Sequence, residues 1–466
     1  MVLSEPAHIP QTLTSKALLL AERYPAKVIA AIGLLFAVAY ACSLILFPKP
    51  NGRIVLGDAL HHYVQLRSAV FDRDLHFRNE YVRMYGLAGG EPGTEWVYGE
   101  ETPTGHVRNL MPVGPALLWA PLFLLAAGVT FVVNGLGMSY PLDGFGRLFQ
   151  ATAGLSGVAA ATLGVWLTFK ACAEYVSARA AIWGCLTVWL ASSAVYYSLI
   201  SPTYSHAASL LAVSALWYAH IRMRDLNALR RHAVLGALCG AAALMRWQDA
   251  ILLIVPAVDL LAARRSGMSL ARIALAGIVT VAAAAAVFAP QMFVWTTLYG
   301  RLLAIPQGEG FMRWTTPALF QVLLSDWHGL LTWTPVIVLC LAGLPLLFRH
   351  SARTGIAATL FILISWYVNA AVADWWAGEA FGSRRFISCF PVFALGLAAL
   401  IERWSPPLEK LALASGVIVA HTFLLLVQYQ AFMHGLRDVA PYPRGFYNLW
   451  LARFVVPLDI VRDMLR

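Results

Sequence analysis

The sequence predicts an all-α polytopic membrane protein, a bundle of about 11–13 transmembrane helices with juxtamembrane helices in its first outer loop. Three observations carry this expectation. Of 466 residues, 59% are hydrophobic and 12% are charged, about half the roughly 25% charge of an average soluble domain. The mean hydropathy is +0.67. Apolar runs recur from residue 28 to residue 433, many near the roughly 20 residues that a helix needs to cross a bilayer. Length alone would suit two or three soluble domains. The continuous series of runs argues instead for a single transmembrane domain over 1–466.

The first element is the run 28–47, preceded by Lys16, Arg23 and Lys27. It exceeds the roughly 7–15-residue core of a cleaved signal peptide, so it reads as an uncleaved first helix with a cytoplasmic N-terminus. A polar outer loop follows over 48–110, then the helix bundle over 111–433 and a C-terminal tail over 434–466. Within the bundle, apolar runs occupy 111–134, 146–169, 180–200, 203–220, 232–263, 270–299, 333–348, 354–373, 386–402 and 410–433. The run 232–263 is too long for one crossing, and Arg246, Trp247, Gln248 and Asp249 interrupt it. It reads as two short helices meeting at a polar point.

Basic residues set the orientation. They cluster in short pieces between apolar runs: Arg222, Arg224, Arg230 and Arg231; Arg264, Arg265 and Arg272; Arg349 and Arg353; Arg403 and Lys410. Cytoplasmic loops carry such an excess. Placing these clusters inside puts 201–206, 246–249, 300–330, 374–385 and the tail outside, and 170–179 inside. Counting forward from a cytoplasmic N-terminus gives 170–179 the opposite parity, so one early segment should not cross. The candidate is 111–134, whose start carries Pro112, Pro115 and Pro121 and which reads as re-entrant or surface-lying. The net charge of +10 does not indicate nucleic acid, because a phosphate-tracking surface needs its basic groups together. Cys42, Cys172, Cys185, Cys239, Cys340 and Cys389 lie in or beside apolar runs without paired spacing, as small hydrophobes do. No internal repeat or low-complexity linker divides the chain.

The polar blocks 48–110, 300–330 and 374–385 share the outer side, so a site assembled from them is expected there. The first contains GDALHHYVQLRSAVFDRDLHFRNEY over 57–81. Wound as a helix over 57–72, it places Asp58, His61, His62, Gln65, Ser68 and Asp72 on one face. Leu60, Tyr63, Val64, Val70 and Phe71 fall on another. That is the pattern of a helix lying in the membrane interface, polar side up. Asp58 after Gly57 is either a helix N-cap or a carboxylate kept for chemistry. Arg246 and Asp249 each cost about 2.5–3.5 kcal/mol near a helix centre, which marks them as functional candidates or as a mutual pair serving the bundle. Arg384 and Arg385 lie outside, against the positive-inside trend, beside Asp374, Trp375, Trp376, Gly378, Glu379 and Gly382. Guanidiniums suit bidentate phosphate binding, and paired tryptophans commonly anchor a chain at the interface. His206 in SPTYSH (201–206), Asp326 and His328 in DWHGLLTWTP (326–335), and Glu80 complete the candidates. Asp72-Arg73-Asp74 has DxD form, a pattern too short to indicate a metal.

Gly57–Asp58 about ten residues after the first helix, TGHVRNLMPVGPALLWAP (104–121), MRWQDA (245–250) and DWWAGEAFGSRRF (374–386) together resemble the GT-C glycosyltransferases. These are polytopic enzymes that use lipid-linked sugar donors. The stretches look like a bacterial branch related to protein O-mannosyl- and lipid A aminoarabinose transferases. In layout the resemblance covers most of the chain; motif agreement is confined to these stretches. It implies a GT-C-like bundle in a bacterial inner membrane, a polyprenyl-phosphate-linked sugar donor, and a lipid or envelope-glycan acceptor on the periplasmic face. Asp58 is then the general base, and Arg384, Arg385 and Arg246 bind the donor phosphate. His62, Glu80, His206, Asp249, Trp376 and Glu379 are possible substrate contacts. No cofactor is implied, and a divalent metal is not indicated. Two departures stand out. Relatives often carry a second carboxylate on an outer mid-chain turn where this chain has SPTYSH, and the chain shows no large soluble C-terminal domain, which weakens a peptide acceptor. The alternatives are a transporter or flippase for a lipid-linked or small polar substrate, and a non-catalytic envelope scaffold. Transporters place their polar groups near mid-bilayer, whereas these gather on one side.

Overall fold

The computed structural model describes residues 22–46, 53–85, 99–224 and 228–465; Lys16 and the first-loop stretches 48–52 and 86–98 lie outside them. Among the described residues there is no strand. Two isolated bridges, Glu101 with Val107 and Met312 with Val372, tie loops.

Helix α1 spans Pro25–Leu46. The first loop forms α2 (Asp58–Arg67), continued by a π-helical turn to Asp72, and α3 (Arg78–Tyr85). Then come α4 (Gly114–Gly135), α5 (Arg147–Cys172), α6 (Ala178–Leu190), α7 (Ser193–Leu199), α8 (Ser205–Arg222) and α9 (Ala228–Met245). The long apolar run breaks at Arg246 as expected: a 3-10 stretch, Trp247–Leu253, leads into α10 (Ile254–Arg265). Next is α11 (Leu270–Tyr299), followed by the short apolar α12 (Val336–His350). The last helices are α13 (Ala352–Ala371), α14 (Phe390–Trp404), α15 (Leu408–Met433) and, in the tail, α16 (Ala452–Met464). Local signals fix several ends. Ser177, Ser269 and Ser351 accept hydrogen bonds from the backbone N–H groups that open α6, α11 and α13, as N-caps do. Gly300, at φ +69°, closes α11.

Eight described helices are long and apolar enough to cross a membrane, or nine if α6 and α7, bent by 75°, form one broken span. The further crossings expected from the sequence are the shorter or more polar α8, α10 and α12. Small residues let these helices close up. A Cβ on Gly343 of α12 would lie 1.9 Å from the Gly396 carbonyl oxygen of α14, and one on Gly396 would lie 2.1 Å from that of Cys340. Packing of this kind holds helices together where lipid removes the hydrophobic drive between them.

Both ends of the bundle are marked by their contacts. At one end, Thr104 donates to the Leu298 carbonyl, Gln307 to the Leu110 carbonyl, and the Asp326 carboxylate accepts from the Gly445 N–H. The first loop, the 300–335 segment and the tail therefore meet at the end that holds Asp58. At the other end, Arg231 pairs with Asp259, His220 lies 3.3 Å from the same carboxylate, and Arg179 pairs with Glu22. Segment 170–179 therefore lies at the same end as the start of α1.

Helix α4 accounts for the parity. It has the length of a span, yet both its ends stay at the Asp58 end of the bundle. Before it, Tyr299 donates to the Asn109 carbonyl and the Val113 N–H donates to Gln291. After it, Asn134 binds Tyr140, and Asp143 takes Arg83 at 2.8 Å and Arg67 through its carbonyl. Mid-helix, Phe123 packs on Tyr63 of α2 and on Phe149 in the first turn of α5. The helix lies across that end, with Leu124, Leu125, Phe131 and Val132 exposed.

One expectation is corrected here. Helix α2 does not present its polar face upward, because every residue from Ala59 to Arg67 is buried. The 104–113 segment covers the polar side: Gln65 donates to Asn109 and to the Met111 carbonyl, and Asn109 donates to the His61 carbonyl. Of the cysteines, five are buried as expected and Cys42 is exposed.

Candidate active site

Asp58 is the first residue of α2, and Gly57, at φ +55°, is the N-cap. The capping account of Asp58 therefore does not hold; its Oδ2 lies 2.9 Å from Nη2 of Arg384. Arg384 opens the 3-10 turn Arg384–Cys389 that leads into α14. The pair sits at a rim, its side chains 35% and 14% exposed. Burial alone would raise the Asp58 carboxyl. The Arg384 guanidinium, helped by Arg385, outweighs burial and holds the carboxyl below the ordinary carboxylate range. The other side of Arg384 rests on Tyr204, with its Cζ 5.3 Å from the ring centroid.

Tyr204 belongs to the SPTYSH turn, the place where relatives were expected to carry a second acid. This residue was missed in the sequence. A tyrosine in an aromatic-rich chain gives no signal until the turn is seen lying over Gly57. A Cβ at Gly57 would come within 2.6 Å of the Tyr204 hydroxyl. His206, from the same turn, is buried against Tyr197 with ring centroids 4.7 Å apart, and its Nδ1 has no hydrogen-bond partner among the described residues.

Arg385 is held by Asp374, with Nη2 2.8 Å from the carboxylate and Nη1 2.6 Å from the carbonyl oxygen. Arg246 and Asp249 do not form the direct ion pair that the structural account of them required. Arg246 donates to the Ser388 hydroxyl at 3.2 Å and to the Arg385 carbonyl at 3.4 Å, while Asp249 accepts from Ser209 at 2.5 Å. Ser209 and Ser388, 3.1 Å apart, join the two. Ser209 lies in α8 and Ser388 in the 3-10 turn before α14, both within apolar runs where a lone serine carries no signal. Arg246, Arg384 and Arg385 thus converge beside Asp58, and of the three Arg246 lacks a carboxylate within ion-pair distance among the described residues.

His62 also faces this centre. Its Nδ1 lies 2.7 Å from the Pro112 carbonyl, which can only accept, so Nδ1 carries the proton and Nε2 is an unprotonated acceptor without a partner among the described residues. Burial lowers this imidazole to about 4.

The other candidates lie apart. Glu80 is buried against Arg67 at 2.9 Å, beside Asp72. Arg67 ends α2, about 13 Å along the helix from Asp58 at 1.5 Å per residue. Trp376 stacks on Trp327 with centroids 4.8 Å apart, and its carbonyl takes His328. Glu379 is exposed, and its carbonyl accepts from Tyr429. Asp326 and His328 fasten the tail, through the Gly445 N–H and the Tyr442 hydroxyl at 2.5 Å. In the DxD stretch, Asp72 binds Arg67 and Asn79, while Asp74 caps Ser68 and the His76 N–H. Among the described residues, no group of three or more His, Cys, Asp or Glu side chains is placed to hold a metal ion.

The whole arrangement is a carboxylate beside a cluster of cations at one end of a helical bundle, suited to an anionic substrate with a nearby proton to move. No protein-family model matches the chain, and no curated protein matches it in sequence. Among solved structures, ArnT from Cupriavidus metallidurans bound to undecaprenyl phosphate superposes with a TM-score of 0.51 at 15% identity, over 93% of this chain and 76% of ArnT. The oligosaccharyltransferase AglB from Archaeoglobus fulgidus, in complex with an inhibitory peptide and a dolichol-phosphate, gives 0.50 at 14% identity, over 95% of this chain and 55% of AglB. The chain shares its fold with these two proteins.

Proposed function

We propose that this protein is a GT-C-type membrane glycosyltransferase that moves a sugar from a polyprenyl-phosphate donor to a hydroxyl of a lipid or envelope glycan on the periplasmic face of a bacterial inner membrane. The contact between Asp58 and Arg384 carries this reading: a base and a phosphate-binding cation meet at the rim of a fold whose ArnT representative holds undecaprenyl phosphate. Asp58 takes the proton from the acceptor hydroxyl as its oxygen bonds to the anomeric carbon. The bond from that carbon to the phosphate oxygen breaks, and its electron pair leaves with the phosphate. A phosphate is already a stable anion, so the chemistry calls for cations to hold it more than for a strong acid. Arg384, Arg246 and Arg385 supply them. Asp374 positions Arg385 and Ser388 positions Arg246, and His62 offers an acceptor nitrogen to a substrate hydroxyl.

The test uses protein purified into nanodiscs with a panel of polyprenyl-phosphate sugars. Wild type is expected to release or transfer sugar from one donor. Asp58→Asn is expected to keep donor binding and lose turnover by about 10²–10⁴-fold, the usual worth of general-base assistance. Saturable donor binding without turnover in wild type, unchanged by the substitution, would support transport or scaffolding instead.

A further inference from the structure

The same two residues that the transferase reading needs apart are found together. A carboxylate paired with a guanidinium at 2.9 Å is a poor base, and a guanidinium engaged by a carboxylate is only partly available to phosphate. We propose that the Asp58–Arg384 pair is a latch which the donor phosphate opens, so that Asp58 becomes an effective base only while a donor is bound. This inference rests on the transferase reading and adds how its base is controlled.

The geometry supports an exchange of partners. Arg384 has its Cζ 5.3 Å from the centroid of the Tyr204 ring, which occupies one side of the guanidinium. Arg385 is tied to Asp374, and Arg246 binds neutral oxygens of Arg385 and Ser388. A phosphate drawn in by Arg246 meets Arg384 as the neighbouring cation whose counter-ion is the part-exposed Asp58. A phosphate accepts two parallel N–H bonds from a guanidinium, a better match than the single contact to Asp58. The groups facing Asp58 are His61 and His62 from its own helix, Arg384 and Arg385 from the turn before α14, Arg246 from the end of α9, and Tyr204. Both histidines sit at about 4 and are neutral at working pH. The loss of Arg384 is therefore the change that raises the Asp58 carboxyl, by about 1–3 units for a carboxylate that gives up an arginine.

The latch also resets. After transfer, the acceptor's proton is on Asp58 and the phosphate holds Arg384. When the phosphate departs, Arg384 returns to Asp58 and the carboxyl releases its proton to water. Atoms and charge balance over the cycle with no further reactant. An Asp58 locked in this way before the donor arrives is also a weak base towards stray water.

Undecaprenyl phosphate without a sugar is the probe, since it binds without turnover. Its binding to the full chain in nanodiscs is measured by calorimetry at about pH 5.5, in two buffers of different ionisation enthalpy, to count protons taken up. Wild type is expected to take up a measurable fraction of a proton more than Asp58→Asn, because the raised carboxyl binds protons that the latched one does not. The protons carried by the free lipid phosphate are common to both. Arg384→Gln is the second reference: with no guanidinium to exchange, its extra uptake should also vanish. Equal uptake by wild type and both variants overturns the latch while leaving the transferase reading standing. An absence of saturable binding by wild type overturns the donor reading itself.

Discussion

At Gly57 the chain takes φ +55° and passes so close to Tyr204 that a Cβ there would stand 2.6 Å from its hydroxyl. Tyr204 in turn supports Arg384, so a disturbance at Gly57 reaches the Asp58 pair through both neighbours. Gly57→Ala is expected to introduce about 1–3 kcal/mol of local strain and, if that strain falls on the pair, to slow turnover by about tenfold or more. Adding Tyr204→Phe removes the clashing oxygen and should restore part of the rate in the same donor-turnover assay; no recovery would mean that backbone strain alone is responsible. Arg246 was conspicuous in the sequence because a charge within a bilayer is costly, Arg384 and Arg385 because they stand against the positive-inside trend, and Asp58 through the family resemblance alone. Tyr204 was not, being one of 17 tyrosines whose meaning depends on which turn lies over which loop.

Among the elements, α2 shows how far periodicity reaches. Its polar and apolar faces were read correctly, yet its surroundings were not, because the 104–113 segment that covers the polar face comes from beyond α3 and owes its position to Asn109, Gln65 and Tyr299. Burial at the far end of α2 has a measurable consequence. Glu80 is fully buried with Arg67 on one oxygen and, among the described residues, no partner on the other. Burial, against the pull of Arg67, pushes its carboxyl up from 4.5 to about 7. The folded chain thus keeps a proton that the unfolded chain has released over this window. The stability this gives is full below about 4.5 and is lost as the pH rises through about 7. Wild type in detergent should show a thermal midpoint that falls from about pH 5 to about pH 7.5, and Glu80→Gln should flatten that part of the profile. An unchanged slope would assign the proton to another group.

For the whole molecule, sidedness was legible and its execution was not. Basic residues between apolar runs fix which loops share an end, because positive charge is retained on one side of the membrane. The same count required one early segment not to cross, but composition gives no way to confirm which, since Gly114–Gly135 is as long and apolar as a true span. Contacts decide it: Asn109 and Val113 before α4, and Asp143 after it, are all held at the Asp58 end. The turn at Ser139 must then face the same side as Glu309 and the opposite side from Arg224, all three being exposed. In a Cys42→Ser background, where the remaining cysteines are buried, Ser139→Cys should react with a membrane-impermeant maleimide in the vesicle orientation that labels Glu309→Cys. It should stay unlabelled in the orientation that labels Arg224→Cys. Labelling with Arg224→Cys would mean that α4 crosses. It would then withdraw Trp119 and the Val113 backbone from the face where they now pack against His62 and Gln291, and with them the wall that keeps α2 in place behind Asp58.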